Sequence, residues 1–555
     1  MASWAPFVRR LEVMRRFEAF AIALTVLVFG CGQGSKGSGG TDAGGDVGPR
    51  EGGPADSTSS GTDATPSDTG GVSGSDSGDD SGTGSGDSGA TGCSPLAIDS
   101  TTLVDNSNAD TYAWSDSSCK PRTAALFRNE TMDGLGEAGG YLRTLTYQTL
   151  GQSRTCTGTN SGAGGWNGFG YIINHDSVSA SDTLETLGKH TIVLAGRHHA
   201  IHEFTWTVSL PGSVNVTAQW VFATGKDHPL FVVTFDATPA GPNAVTSDTR
   251  APYGDMGFDN NVGGDVTGEG WGDTHKFTTT GPGPVTAISP WDYTASNSIP
   301  YAFEWSGSTD SEMGLVAMQA WTTTIQGGDY AGGLLETLWG KTGTDLLTDI
   351  PTYEWPFQLN QYQLGLPDAG PNAGVTNAHR LAWGSTFGAV GQTSYTAFGK
   401  TLVGYPYQSY TVAVVLGAHS VSAVAGQVGQ MENVQASTLT ASRGTVSASG
   451  PAGIARTDTQ PYVPVGFDPV YGVWDAQAAA NAVTLTLAPG GGPLANPVFR
   501  IHGYTANAAP SKVTFGGATL TADKDYFATV DTATTSLWLT LNATLGSTGT
   551  LTVDP

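Results

Sequence analysis

Alternation of apolar and polar residues with a period of two is the feature that most limits how this chain can fold. In residues 200–210 (AIHEFTWTVSL), Phe204, Trp206 and Val208 share one face of a strand and their odd-numbered neighbours share the other. The alternation recurs in residues 215–222, 230–237, 301–305, 313–321 and 410–417, and in short stretches of 483–553. Only residues 474–483 (WDAQAAANAV) are helix-like. The pattern predicts an all-β protein of antiparallel sheets.

The first 31 residues have the features of an export signal. Arg15 and Arg16 precede an apolar run that is too short to span a bilayer as a mature helix. The sequence VFGC at residues 28–31 resembles the bacterial lipoprotein box, in which the cysteine, here Cys31, is lipidated. With Gly32 rather than Asp next, this resemblance implies an outer-membrane lipoprotein that contacts the membrane through its lipid anchor only. The alternative is a secretory signal with a chance cysteine.

Residues 32–92 form a low-complexity segment rich in Gly, Ser, Thr, Asp, Ala and Pro, with no aromatic residue. They include ten acidic and two basic residues, a net charge of −8. Such a segment cannot bury enough apolar surface to offset the entropy cost of ordering, so the sequence predicts a disordered, self-repelling tether. With a lipid at one end, it would hold a folded body away from the membrane.

The charge balance limits the possible partners. The 555-residue chain has a formal net charge of −25, of which −19 belongs to residues 93–555. A strongly acidic body repels phosphates, so we expect no nucleic acid partner. Beyond Cys31 the cysteines are Cys93, Cys119 and Cys156. Their odd number predicts one disulfide, either Cys119–Cys156 or Cys93–Cys119, with one thiol left over.

The lengths of the strand-rich segments predict two folded bodies. Residues 93–445 are too long for an immunoglobulin-sized sandwich and fit one large antiparallel two-sheet body, and residues 446–555 fit a small β-sandwich. In its long strands, such as HEFTWTV and VTAQWVFATGKDHPLFVVTFD, the large body resembles the galactose-mutarotase-like supersandwich. The C-terminal unit resembles the small sandwich that follows many extracellular carbohydrate-active enzymes. These resemblances imply sugar chemistry but assign no residue a role.

Residues 250–277 (RAPYGDMGFDNNVGGDVTGEGWGDTHKF) combine seven charged residues with many glycines. Glycosidases need two carboxyl groups beside the scissile bond, and this stretch could supply them from a loop that folds back. A lyase would instead need a base and a cation that neutralises a uronate carboxylate. The predicted catalytic residues are Asp255, Glu269, Asp273 and His275, and the predicted ligand-binding residues of this stretch are Arg250, Tyr253, Trp271 and Lys276.

Two other interpretations of this stretch remain open. Residues 259–265 (DNNVGGD) offer oxygen ligands at short spacing, but Gly263 lies where an EF-hand loop has a ligand. Ca²⁺ is therefore a possible ligand, and no other cofactor is expected. The second interpretation is a glycine-rich polar loop that joins two strands and has no function.

The histidines of residues 196–204 (GRHHAIHEF) form a second candidate site. On one strand, His198 and His202 would lie about 13 Å apart, at roughly 3.3 Å per residue, too far to share one zinc ion. No metal site is therefore predicted. His198, His199, His202 and Glu203 are predicted to contact a sugar or transfer protons, and hydrogen-bonded histidines within a sheet are the alternative. Residues 224–229 (TGKDHP) are most simply a hairpin loop.

Aromatic residues between residues 291 and 305 complete the predicted glycan groove, with one carboxylate among them: Trp291, Tyr301, Glu304 and Trp305. Buried packing is the alternative for each ring. We expect a monomeric, surface-anchored protein that binds a polysaccharide or oligosaccharide and cleaves it as a glycoside hydrolase or polysaccharide lyase. The alternatives are a non-catalytic glycan-binding lipoprotein and a structural or adhesive surface protein.

Overall fold

The computed structural model of the chain describes residues 92–104, 107–128, 141–149, 151–159, 169–176, 180–182, 189–210, 212–236, 238–239, 247–258, 268–273, 276–280, 299, 301–318, 358–360, 380–386, 407–447 and 463–555. Within these ranges the secondary structure is almost entirely strand, so the predicted all-β class is confirmed.

The strands of the large body follow one another in chain order. Those in the described ranges are β1 (Ala97–Asp99), β2 (Leu103–Val104), β3 (Ser107–Ser115), β4 (Pro121–Phe127), β5 (Leu142–Thr149), β6 (Gln152–Thr159), β7 (Tyr171–Asp176), β8 (Ala180–Asp182), β9 (Lys189–Ala195), β10 (His199–Leu210), β11 (Gly212–Ala223), β12 (Leu230–Asp236), β13 (Ser247–Phe258), β14 (Gly268–Asp273), β15 (Lys276–Thr280), β16 (Tyr301–Ser306), β17 (Ser311–Ala317), β18 (Gln358–Asn360), β19 (Arg380–Thr386) and β20 (Tyr407–Ala418).

These strands form two antiparallel sheets. The first has eleven strands with the main order β1-β3-β4-β5-β6-β13-β19-β18, and the second has nine in the order β15-β14-β16-β17-β20-β12-β11-β10-β9. The sheets share one hydrophobic core, since Tyr112 of β3 stacks on Phe222 of β11 with ring centroids 4.5 Å apart. Burying a large apolar side chain contributes roughly 1.5–3 kcal/mol, so such cross-sheet contacts hold the two layers together.

One helix in the described residues connects the large body to the C-terminal body. A short 3₁₀ turn (His419–Val421) precedes helix α1 (Ala423–Gln435), which buries Val424, Val428 and Met431. The backbone N–H of Val424, in the first turn of α1, donates a hydrogen bond to Glu312 Oε1 at 2.6 Å. A carboxylate from β17 therefore caps the helix, which compensates for the absence of a side-chain cap at Ser422.

The C-terminal body contains the strands β21 (Thr438–Arg443), β22 (Thr445–Val446), β23 (Phe467–Asp468), β24 (Val473–Gln477), β25 (Val483–Ala488), β26 (Leu494–Ala495), β27 (Val498–His502), β28 (Lys512–Phe515), β29 (Ala518–Thr519), β30 (Tyr526–Asp531), β31 (Ser536–Leu541), β32 (Thr544–Leu545) and β33 (Gly549–Asp554). They form sheets of five, six and two strands, in which β24 and β27 are parallel. Strand β21 pairs with β25, so this body begins before residue 446, the predicted boundary.

The helix-like interpretation of residues 474–483 is wrong. Trp474 lies in β24, fully paired and buried, and the alanines that follow form a turn in which Ala480 and Asn481 have φ values of 52° and 62°. Sheet burial of Val473 and Trp474 outweighs the helix propensity of the alanine run.

Of the two predicted disulfides, the structure contains Cys93–Cys119, and Cys156 on β6 is buried and lies outside this bond. The bond attaches the start of the body to the turn between β3 and β4. Among the described residues, no helix has the length and apolar character needed to cross a membrane.

Candidate functional site

The large and C-terminal bodies meet across a junction rich in hydrogen bonds. His199 Nε2 lies 2.9 Å from Thr540 Oγ1, and Lys226 Nζ donates to the carbonyl oxygens of Ala495 and Asn496 at 3.3 Å. At Gly196, an added Cβ would lie 1.9 Å from Thr529 Cγ2, so the two bodies touch too closely there for any side chain. The predicted loop at residues 224–229 joins β11 to β12 as expected and forms part of this contact.

An inner cavity of about 120 Å³ lies within the junction. His199 and Trp538 line it, with their ring centroids 5.9 Å apart, and they are only 1% and 4% exposed. Within the described part of the chain, His199 Nδ1 and Trp538 Nε1 have no hydrogen-bond partner. Buried polar groups are rarely left without a partner, so this cavity suits polar guest atoms.

An outer groove of about 400 Å³ adjoins the inner cavity, and we call the two together the junction cleft. Several residues line both parts: Ser117, Asp227, His228, Gln427, Gln430 and Ala495. Amide, hydroxyl and imidazole groups dominate this shared wall. A polar groove of this size between two bodies is a common position for a ligand site.

The charged groups of the cleft are largely satisfied by the protein. Asp116 accepts backbone N–H groups of Ser118 and Lys120 at 2.9 Å, and Arg122 Nε lies 3.4 Å from Asp116 Oδ2. Burial, followed by the charge of Arg122, lowers the pKa of His228 to about 3, so this ring is neutral at pH 7. Burial also lowers the pKa of Lys226. The cleft therefore offers hydrogen bonds rather than a strong net charge.

Of the predicted histidines, only His199 lines the junction cleft. His198 Nε2 instead lies 2.7 Å from Asp523 Oδ1, and burial lowers the pKa of His198 although Asp523 raises it. Glu203 is half-buried and accepts a hydrogen bond from Gln219 Nε2 at 2.7 Å. Both residues therefore have partners within the protein. This agrees with the alternative prediction for this stretch, in which its histidines are hydrogen-bonded within a sheet.

His202 belongs to a different cluster, formed by residues that come together from three strands. Asp110 of β3, His190 of β9 and His202 of β10 place one possible ligand atom each within 4.8 Å of one another, and we call them the His–Asp cluster. Burial raises the pKa of Asp110, but the neighbouring histidines and Ser100 outweigh it and hold the pKa well below its usual range. Burial lowers the pKa of His202 to about 4. Two histidines on one strand lie too far apart to share a zinc ion, but these three residues come from three different strands.

The predicted catalytic residues lie on two sheets. Asp255 is on β13 of the eleven-stranded sheet, whereas Glu269 and Asp273 are on β14 of the nine-stranded sheet. His275 lies outside the described residues. The loop interpretation of residues 250–277 is therefore wrong for β13, β14 and β15, because backbone pairing turns most of this stretch into strands. Convergence of these four residues stays a prediction.

The predicted ligand residues of the same stretch lie on these strands too. Arg250 and Tyr253 flank a register shift in β13, Trp271 is on β14, and Lys276 on β15 pairs with Asp273. Residues 259–265, the possible calcium loop, lie outside the described residues, as does Trp291.

The remaining predicted residues lie on β16. Tyr301 is 4% exposed and packs near Phe303, so its ring is not available on the surface for stacking. Glu304 is fully buried. Trp305 is half-buried and stacks flat on His419 with ring centroids 4.6 Å apart. Of the three, only Trp305 keeps exposed ring surface.

Sequence reasoning missed most of the residues that line the cleft or form the His–Asp cluster, including Trp538, Gln427, Gln430, Asp110 and His190. Trp538 has the alternation of an ordinary strand (SLWLTL), and Asp110 lies in a polar stretch without a motif. Only the charged loop at residues 224–229 gave a local signal. No protein-family model matches this chain, and the search of curated proteins found no match.

Proposed function

We propose that this protein is an exported carbohydrate-binding protein that holds a segment of a glycan in the junction cleft. The proposal depends on two buried residues, His199 and Trp538, which line the inner cavity and each keep one ring nitrogen without a partner among the described residues. The large two-sheet body followed by a smaller β body supports it, as does the resemblance to carbohydrate-active proteins.

The chemistry of the cleft matches a neutral, hydroxyl-rich ligand. Sugars offer many hydroxyl donors and acceptors together with apolar C–H faces. The cleft offers the amide of Gln427 and the rings of Tyr471 and Trp538. Its ion pair Asp116–Arg122 is internal to the cleft wall.

Binding without cleavage fits the described cleft better than hydrolysis. A glycosidase needs two carboxyl groups free to act as acid and as base or nucleophile. Asp116 already accepts two backbone N–H groups, and Asp227 Oδ1 accepts the N–H of Ser117 at 2.9 Å. These carboxylates hold the turn after β3 in place.

A glycan array followed by calorimetric titration tests the proposal. Gln427→Ala removes a side chain that lines both parts of the cleft, and Gln435→Ala removes the same side chain from the same helix away from the cleft. We expect Gln427→Ala to weaken binding by up to about tenfold, from the roughly 0.5–1.5 kcal/mol of one net hydrogen bond, while Gln435→Ala binds like the wild type.

Absence of glycan binding across the array would contradict the proposal. Equal weakening by both glutamine variants would also contradict it, because the effect would then be a general loss of helix stability. Trp538→Phe keeps most of the ring but deletes its N–H donor. It should weaken binding without changing which glycans bind.

A second candidate function, cleavage by Glu269 and Glu304, rests on the sheet register alone and requires exposure of Glu304, which is fully buried in this structure. Glu269 lies directly opposite Glu304 on the neighbouring strand. Positions directly opposite in an antiparallel pair have Cβ atoms about 4.5–5.5 Å apart, and two like charges there are unfavourable.

Release of reducing ends from a polysaccharide panel tests this second function. Glu269→Gln should abolish release, and Asp273→Asn on the same strand should retain it if Glu269 and Glu304 are the acting pair. Ultraviolet absorbance of an unsaturated uronate would instead identify a lyase. No turnover on the whole panel, with glycan binding intact, would leave binding as the function.

Anchoring through Cys31 is part of the proposal. The lipoprotein box and the acidic segment at residues 32–92 support an outer-membrane lipoprotein whose body lies away from the membrane. A clickable palmitate analogue should label the wild type in the producing bacterium and fail to label Cys31→Ala.

A further inference from the structure

The His–Asp cluster lies where the two sheets of the large body meet at strand β9, the end of the nine-stranded sheet. Asp110 comes from the opposite sheet, and both Asp110 and His202 are fully buried. A register shift between β9 and β10 falls between Ile201 and His202, and such bulges re-aim the side chains beside them. After this shift, His190 of β9 pairs with Phe204 of β10, and His202 lies two positions from Phe204 on the same strand.

The facing atoms of the cluster converge without satisfying one another. His190 Nε2 is 2.7 Å and His202 Nδ1 is 3.5 Å from the same oxygen, Asp110 Oδ2. Within the ranges that the structure describes, none of Asp110 Oδ2, His190 Nε2 and His202 Nε2 has a hydrogen bond of acceptable geometry. Asp110 Oδ2 and His190 Nε2 contact each other, and His202 Nε2 has no partner among the described residues, so a further group that binds all three would stabilise the cluster.

Further protein groups hold each buried member of the cluster in place. Ser100 Oγ donates to Asp110 Oδ1, and Arg128 Nε lies 3.8 Å from that same oxygen. Tyr112 Oη lies 3.1 Å from His202 Nδ1. Outer contacts of this kind fix the orientation of metal-ligating carboxylates and imidazoles.

We propose that Asp110, His190 and His202 bind a divalent first-row transition-metal ion of the zinc class. Two imidazoles and one carboxylate suit such an ion, whereas Ca²⁺ and Mg²⁺ prefer ligand sets made of oxygen alone. The ion joins β3 of one sheet to β9 and β10 of the other, so it acts as a structural clamp. Its path from solvent passes His190, whose side chain is 16% exposed, whereas Asp110 and His202 are closed to a glycan.

Zinc titration of the full chain, purified without a histidine tag and stripped with a chelator, tests the site. We expect about one equivalent of Zn²⁺ to bind, measured by calorimetry and by competition with a chromophoric chelator. Loss of an outer-sphere partner weakens metal binding roughly 10–100-fold. His190→Gln removes a direct ligand, so it should weaken Zn²⁺ binding by at least that factor. The matched control is His502→Gln. His502 is 35% exposed and lies 3.4 Å from buried Asp475, but among the described residues it is not part of a candidate metal group.

Absence of zinc binding in the wild type would overturn the proposal and leave the cluster as an ionic contact. Equal binding by the wild type and His190→Gln would also overturn it, because the ion would then bind elsewhere. Asp110→Asn is a second variant, and circular dichroism establishes that each variant is folded. Co²⁺ substitution gives a further readout, since its visible spectrum should report a nitrogen and oxygen ligand set in the wild type and change in His190→Gln.

Discussion

Two clusters in this molecule contain buried carboxylates, and they differ in the groups that surround them. In the C-terminal body, Arg500 donates to Asp475 at 2.8 and 2.6 Å and to Asp468 at 2.6 Å, and its guanidinium lies 5.0 Å from the ring centre of Tyr471. We call Asp468, Asp475 and Arg500 the Arg500 cluster. In the large body, Asp110 faces two imidazoles, and its nearest guanidinium nitrogen is 3.8 Å away.

The difference lies in whether a protein cation completes the cluster. A guanidinium presents a planar fork that matches a carboxylate, so the Arg500 cluster is complete without any ligand. His202 is neutral at pH 7 because burial lowers its pKa to about 4, and so it does not neutralise Asp110. A buried carboxylate flanked by imidazoles is a candidate site for a metal cation, whereas a carboxylate bound in two places by arginine is not.

Removing the cation of the complete cluster should have the largest effect. Arg500→Met leaves Asp468 and Asp475 buried without a partner, and breaking a buried pair costs about 3–5 kcal/mol. Urea unfolding should show this loss. Arg443→Met is the control, because the Arg443–Asp554 pair is 46% and 38% exposed, and such pairs contribute about 0–1 kcal/mol. A similar loss in the free energy of unfolding in both variants would contradict the distinction between the buried Arg500 cluster and an exposed ion pair.

Removing metal should affect only the His–Asp cluster. With free Zn²⁺ at 100 times the dissociation constant, binding to the folded state alone adds about 2.7 kcal/mol to the free energy of unfolding. A chelator should remove this gain in the wild type and in Arg443→Met. His190→Gln should show no gain at the same concentration, and a gain equal to that of the wild type would argue against the clamp.

A smaller effect is expected from pH. Burial raises the pKa of Asp468 to about 6 although Arg500 lowers it, so the folded pKa exceeds the ordinary aspartate value of 3.8. This contribution to stability is therefore complete below pH 3.8 and is lost as the pH rises through about 6. We expect Asp468→Asn to remove roughly 2 kcal/mol of pH dependence between pH 4 and 6.5, at about 1.4 kcal/mol per pKa unit.

Unfolding curves at a series of pH values measure this difference between the wild type and Asp468→Asn. Asp475 acts in the opposite direction, since its histidine and arginine partners lower its pKa against burial. Comparing the two proteins cancels that contribution in the first approximation. Identical pH profiles would mean that the pKa of Asp468 is the same in the folded and unfolded protein.

The strands were predictable wherever alternation of residue types matched one buried face, as in β10 and β11. Helix α1 was not, because its sequence AVAGQVGQMENVQ contains two glycines and no side-chain cap. It forms because its apolar residues bury against β17 and β20 and because distant Glu312 caps it. The alanine run at residues 478–480 predicted a helix wrongly, because pairing of the neighbouring strand outweighed the helix propensity of alanine.

The sequence by itself determined the β class, the charge, the low-complexity segment and the histidines that deserved a test. Tertiary structure decided which groups meet, and the physical reason is sequence distance. His199 meets Thr540 across 341 positions, and His202 meets Asp110 across the space between two sheets. Periodicity reports which face of a strand is buried, but the partner on that face depends on how the sheets pack and on where a bulge shifts the register.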